Sequence, residues 1–160
     1  MITAWRITRE KYLDQAFTGE GAKIWGGRWN PAGYPAVYCA QSLSLAILEL
    51  IVHLEDDLDI ESFIAIPVTF SSKSVQTLTE SKVPKDWDNL PISPASTRVG
   101  KKWLDEKKFL VLVVPSTIVP IESNYILNPL HQGFSQIEIG EPQEIHFDPR
   151  ITSLIGNKET

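Results

Sequence analysis

The 160-residue chain has one cysteine, Cys39, so no disulfide can form within it, which agrees with a reducing cytoplasm as its compartment. No apolar run approaches the roughly 20 residues needed to cross a bilayer, so a soluble protein is expected. The opening "MITAWRITREKYLDQ" has no apolar core behind a basic start, which argues against export. Positive charge is short as well. The net charge is -5 and the pI is near 5.2, the opposite of the basic face that non-specific nucleic-acid binding requires. Lys101, Lys102, Lys107 and Lys108 do cluster, but they flank "WLDE" in helix-like sequence and read as a solvated face.

Several chemical signatures are missing too. There is no G-x-x-x-x-G-K-[ST], no G-x-G-x-x-G and no H-E-x-x-H, and His53, His131 and His146 lack metal-ligand spacing with cysteine. P-loop and metal chemistry are therefore not expected. No repeat, low-complexity tract or long linker divides the chain, and the acidic "EDDLDIE" at 55–61 is too short for a disordered tail. One domain spanning 1–160 is expected, long enough to bury about 70% of its unfolded surface.

What is present is strand-rich. Apolar runs at 4–7, 36–40, 63–70, 109–114, 135–139 and 144–147 predict strands, most of them bounded by Gly, Pro or charge. Helices are predicted at 42–54, opened by Ser42 or Ser44, and at about 95–107, with a weaker one near 9–16. Strands and helices do not alternate strictly, and Pro67 interrupts the third run, so a mixed or antiparallel α+β fold fits better than a doubly wound parallel sheet. Between 80 and 98, Pro84, Pro91 and Pro94 surround Trp87, which predicts an irregular excursion with Trp87 as its anchor and a lid as its use.

The segment "SLSLAILELIVHL" is apolar almost all round, which predicts burial on most sides. At about 3.6 residues per turn, Ser42, Ala46, Glu49 and His53 share one small or polar stripe. Either the stripe faces water, with Glu49 and His53 as an i, i+4 pair, or it lines a cleft in which a carboxylate is used. In "AVYCA", alternation puts Tyr38 on one face and Val37 and Cys39 on the other, so Tyr38 either flanks that cleft or packs in the core. In "GGRWN", two glycines precede Arg28. The loop is either a tight turn, with Arg28 stacked on Trp25 or Trp29, or an anion site gripping phosphate bidentately. Ser116 in "VVPST" ends an apolar strand, but the surrounding residues do not form a nucleophile elbow, so a serine hydrolase is not expected.

These segments, "WRI" (5–7), "GGRWNPAGYPAVYCAQSLSLAILELIVHL" (26–54), "VPSTIVPIESNYILNPLH" (115–131 and flanking) and "FDPRI" (147–151), resemble the RES-domain family, the toxin half of RES-Xre toxin-antitoxin modules. The resemblance implies an ADP-ribosyltransferase-like α+β fold, with two small mixed or antiparallel sheets and flanking helices around an NAD cleft. It implies cleavage of the nicotinamide-ribose bond of NAD by hydrolysis or phosphorolysis, with transfer of ADP-ribose to a protein as the alternative and a non-catalytic binding module as a third reading. NAD arrives as substrate, with no resident cofactor. Carried over by residue, the family's arginine falls on Arg28, its tyrosine on Tyr38, its glutamate on Glu49 and its serine on Ser116, with Arg6 a further arginine of the site. An aromatic that follows that arginine in some members is Ile7 here. The implied roles are a carboxylate for Glu49, nicotinamide stacking for Tyr38, phosphate contacts for Arg28 and Arg6, and positioning of ribose or Glu49 for Ser116. An Xre-family antitoxin is the implied partner, direct nucleic-acid and membrane partners are not expected, and a homodimer is left open.

Overall fold

The structure, a computed structural model, describes residues 1–54 and 62–156, so the acidic stretch at 55–61 lies outside the described residues. In chain order the elements are β1 (Ile2–Arg9), a 3₁₀ turn (Glu10–Gln15), α1 (Glu20–Trp25), β2 (Val37–Ala40), α2 (Leu43–His53), β3 (Phe63–Phe70), β4 (Val75–Thr77), α3 (Pro94–Glu106), β5 (Val111–Pro115), β6 (Ser123–Leu127), β7 (Glu138–Ile139), β8 (Gln143–Glu144) and α4 (Pro149–Gly156). No helix among the described residues is long and apolar enough to cross a membrane.

The expected mixed α+β architecture is present, but the strands do not form two separate sheets. They hydrogen-bond into one eight-stranded curled sheet, ordered β4-β5-β6-β2-β1-β3-β7, with β8 also on β3. Among the described residues only the β4–β5 pair is parallel. The connection between its two halves is thin: β1 meets β2 through the single pair Trp5 and Ala40, whereas β1 and β3 pair along their whole length. A ladder reduced to one pair lets the sheet bend there, and both strands at that seam contribute residues to the cleft described below.

Pro67 is accommodated by a gap. β7 pairs with Val68 and Thr69, and β8 with Ile64 and Ala65, which leaves Pro67 between the two short strands where no amide donor is required. Its carbonyl still accepts from Gly140 N at 2.8 Å.

The alternation read in β2 holds. Val37 and Cys39 join Ala4, Val68, Phe70, Val111 and Leu127 in one core cluster, while Tyr38 packs toward the cluster of Trp29, Trp103, Leu112 and Ile126 on the opposite face. α3 covers that second face, and Gly100 brings its bare backbone against the Trp29 carbonyl, a contact no Cβ would fit. The lysines of α3 behave as a solvated face: Lys101 pairs with Asp105 at 2.6 Å and Lys102 with Glu106 at 3.9 Å, both exposed.

Four expectations change. Strand 135–139 shrinks to Glu138–Ile139 behind a 3₁₀ turn at Phe134–Gln136, and 144–147 contributes only Glu144, because these edge segments pair over two residues each. α1, α4, β4 and β6 add to the expected elements. The region near 9–16 is a 3₁₀ rather than an α-helix. α2 is not buried on most sides: Leu45 and Ala46 pack on Ala40, Trp5 and Ile7, but Leu48 and Val52, one turn apart on the outer face, are 43% and 51% exposed. A helix laid on a sheet is covered on one side only.

Candidate active site

α2 begins where Ser42 caps it, its Oγ accepting from Leu45 N at 3.1 Å. From that start the small and polar stripe turns inward, and Ala46, Glu49 and His53 line a cleft of about 510 Å³, within the range of small-molecule sites. Of the two readings of the stripe, the structure has the cleft. Glu49 is not paired with the His53 ring; His53 Nδ1 donates instead to the Glu49 backbone carbonyl at 2.7 Å.

The Glu49 carboxylate is held from two strands. Ser116 Oγ donates to Oε1 at 2.8 Å, and Asn124 Nδ2 donates to the same oxygen at 2.7 Å. Both hydrogen bonds that the carboxylate accepts among the described residues fall on Oε1. Ser116 is fully buried and in turn accepts from the Ile118 and Val119 amides at 3.0 and 3.1 Å, so the β5 end anchors its hydroxyl. It meets Glu49 from outside the cleft lining.

The "GGRWN" loop follows α1. Gly26 adopts φ +72°, and Gly27 and Asn30 exchange backbone hydrogen bonds at 2.9 and 3.4 Å, closing a tight turn with Arg28 and Trp29 at its tip. Asn30, fully buried, donates from Nδ2 to the carbonyls of Ala22 and Tyr34, and its Oδ1 accepts from the Tyr38 hydroxyl at 2.6 Å. The same hydroxyl accepts from Trp29 N at 3.1 Å. The crowding at Gly27 comes from this network: a Cβ there would lie 2.7 Å from the Tyr38 hydroxyl and 2.8 Å from Asn30 Oδ1. The glycine is required by the protein's own packing.

The loop that carries Arg28 takes the tight turn of the first reading. The backbone is a turn, and the side chain lines the cleft, where its guanidinium donates to the carbonyls of Trp87 and Asn89. It does not stack on Trp25 or Trp29; Trp29 stacks on Trp87 instead, at 6.3 Å between centroids and 24° between planes. Trp87 is thus the anchor of the excursion, which ends where α3 begins at Pro94 rather than running to 98, and Leu90 and Ile92 from it form part of the cleft wall.

Arg6 and Ile7 also line the cleft, from β1. Arg6 spends Nε on the Ala16 carbonyl and Nη1 on the Tyr38 carbonyl, both at 3.1 Å. Burial lowers its pKa, though a guanidinium remains charged. Burial pushes the Tyr38 hydroxyl well above its ordinary value, offset only in part by the Trp29 amide and the Arg28 charge, so Tyr38 stays a neutral ring and hydroxyl.

The structure thus brings Arg6, Arg28, Tyr38 and Glu49 to one cleft, with Ser116 behind Glu49. Sequence reading missed Asn124 and Asn30. Asn124 lies in the short strand β6, which was not predicted, and Asn30 sits inside "GGRWN", where its lack of charge hid it behind Arg28.

The cleft thus combines a carboxylate held on one oxygen with two arginines in its lining, in a volume within the range of small-molecule sites. Residues 3–148 match the RES domain, and the chain belongs to the RES-domain family. It is 36% identical over 148 residues to Toxin Res of Yersinia enterocolitica serotype O:8 / biotype 1B, covering 92% of this chain and 97% of that protein. It is 35% identical over 153 residues to a Prs ADP-ribosylating toxin of Sphingobium sp. strain YBL2, covering 92% and 94%. In fold it resembles a chain of the crystal structure of the M. tuberculosis MbcT-MbcA toxin-antitoxin complex, with a TM-score of 0.74 over 97% of this chain and 88% of that chain at 19% identity.

Proposed function

We propose that the protein is the toxin of a toxin-antitoxin pair and an enzyme of ADP-ribosyltransferase-like kind that cleaves the nicotinamide-ribose bond of NAD. The observation that carries the reading is Glu49, a carboxylate held on one oxygen at the wall of a cleft with Arg6 and Arg28. Most glycosidases need a second carboxyl group to protonate the leaving oxygen. Oxidised NAD does not, because nicotinamide leaves as a neutral base from a cation, taking the bonding electron pair with it. What remains is stabilisation of a ribosyl oxocarbenium-like transition state, for which a fixed negative charge is the main electrostatic tool. Water, giving up a proton to solvent, or phosphate then bonds to the anomeric carbon, giving ADP-ribose or its 1-phosphate.

In this reading Arg28 holds the diphosphate and Arg6 supports it, Tyr38 presents its ring to nicotinamide, and Ser116 orients Glu49. A partner antitoxin, of Xre type by family analogy, accompanies the toxin, and the acidic chain leaves nucleic-acid binding to that partner. Purified protein incubated with NAD, with and without phosphate, is expected to release nicotinamide, and Glu49→Ala to lose at least about 100-fold in turnover. Intact NAD in both reactions sinks the reading; dependence on phosphate separates phosphorolysis from hydrolysis.

The name of the Sphingobium relative favours a second reading, transfer of ADP-ribose to a protein. Label from NAD appearing on a macromolecule, without matching free ADP-ribose, supports it.

A further inference from the structure

We propose that Asn124 is a positioning residue for the Glu49 carboxylate and fixes which of its oxygens meets the ligand; this rests on the reaction proposed above. Asn124 is held in the ladder on both sides, opposite Ala40 of β2 and Val114 of β5. Its side chain is half-buried, lines the cleft and donates to Glu49 Oε1 at 2.7 Å.

A glutamate leaving a helix has a broad, roughly two-fold terminal torsion, so a single donor leaves its carboxylate free to swing. Here two donors arrive from different strands, Ser116 from the end of β5 and Asn124 from β6, and converge on one oxygen. That fixes the carboxylate plane and dedicates Oε2 to what enters the cleft. The chemical type of the donors matters equally. An arginine in place of Asn124 would hold the carboxylate more tightly but cancel its charge, whereas a neutral amide orients it and leaves the negative charge whole for a cationic transition state.

The test compares wild type with Asn124→Ala and Asn124→Leu. Leucine keeps the approximate shape of asparagine and removes the donor without adding a charge beside Glu49, so it separates the hydrogen bond from packing. Both variants are expected to melt within a few degrees of wild type, to keep KM for NAD within about threefold, and to lose about 10- to 100-fold in kcat, with Leu no better than Ala. Asn124→Leu retaining kcat within threefold of wild type overturns the proposal, as does a loss confined to KM. Crystal structures of wild type and Asn124→Ala give a readout that needs no turnover. Rotation of the Glu49 carboxylate away from Ser116 supports positioning; an unmoved carboxylate overturns it. Wild-type protein that leaves NAD intact refutes the proposed reaction instead, and the two structures still decide what Asn124 does to Glu49.

Discussion

Arg28 donates to the backbone carbonyl of Trp87, which ties the tip of the "GGRWN" turn to an excursion fifty-nine residues further along the chain. The guanidinium also donates to the Asn89 carbonyl at 3.2 Å, and the Trp29–Trp87 stack closes the same junction from the apolar side. A diphosphate gripped by Arg28 replaces two neutral acceptors with anionic ones, which make the stronger hydrogen bonds. Binding is therefore expected to loosen the Trp87 segment. Tryptophan emission should change as NAD is titrated in, Trp87→Phe should remove most of that change, and Arg28→Ala should weaken binding by about tenfold or more. Unchanged emission at NAD concentrations that calorimetry shows to be saturating would mean that Arg28 keeps its grip on the excursion.

Ser116 combines two functions that one substitution separates poorly and two separate well. Ser116→Ala removes a donor from Glu49 and leaves the Ile118 and Val119 amides without their acceptor. Part-buried backbone donors left unpaired cost up to about 1–3 kcal/mol, so the variant should lose stability in denaturant titration as well as turnover. Ser116→Thr retains the hydroxyl and should recover part of both. Loss of turnover with an unchanged unfolding midpoint would show that the two amides find water.

Gly27 tests what the glycines are for. From the sequence they let the loop close on a diphosphate, which predicts that Gly27→Val damages turnover more than folding. The Tyr38 hydroxyl and Asn30 Oδ1, each within 2.8 Å of where a Cβ would stand, change that expectation. Even Gly27→Ala must push one of them aside, at a cost of about 1–3 kcal/mol, and the displaced Tyr38 lowers turnover with it. Thermal melts and nicotinamide release on the same preparation are expected to fall together. A stable Gly27→Ala with reduced turnover would return the glycine to the ligand.

Those residues also show where sequence reading succeeds. Glu49 was legible because α2 is a long periodic segment with a capping serine, so spacing alone placed Ala46, Glu49 and His53 on one stripe. Tyr38 was legible because period two is rigid in a strand. What the sequence could not show was contact between distant segments: Asn124 reaches Glu49 across seventy-five positions and Trp87 reaches Arg28 across fifty-nine. The sheet was misread for a related reason. Whether two sets of strands make one sheet or two turns on the lone pair of Trp5 with Ala40, and no pattern in either strand announces a single pair. Strand β6 is not legible because it opens on Ser-Asn, of which Asn124 lines the cleft, and this polar start breaks the apolar alternation by which strands are recognised.

Cys39 supplies the last prediction, since it lies in the core cluster beside the seam and titrates far from its usual range. Burial pushes its thiol up to about 12, with the nearby Arg6 charge pulling weakly the other way. In the unfolded chain the thiol ionises near its ordinary value of about 8.5 to 9, so between that pH and 12 the unfolded state has shed a proton that the folded state keeps. The stability this proton supplies is complete below pH 8.5 and is lost as the pH rises toward 12. Tyr38, also raised by burial, acts in the same direction at slightly higher pH. The denaturant midpoint of the wild type is therefore expected to fall between pH 8 and pH 10.5, and that of Cys39→Ala to fall less over the same interval, whatever its starting value. The native thiol should also react with a disulfide reagent at pH 8 only as fast as the protein opens, at least about 100-fold more slowly than after unfolding. Rapid labelling of folded protein, together with equal pH slopes for the two proteins, would place Cys39 in contact with solvent through the cleft.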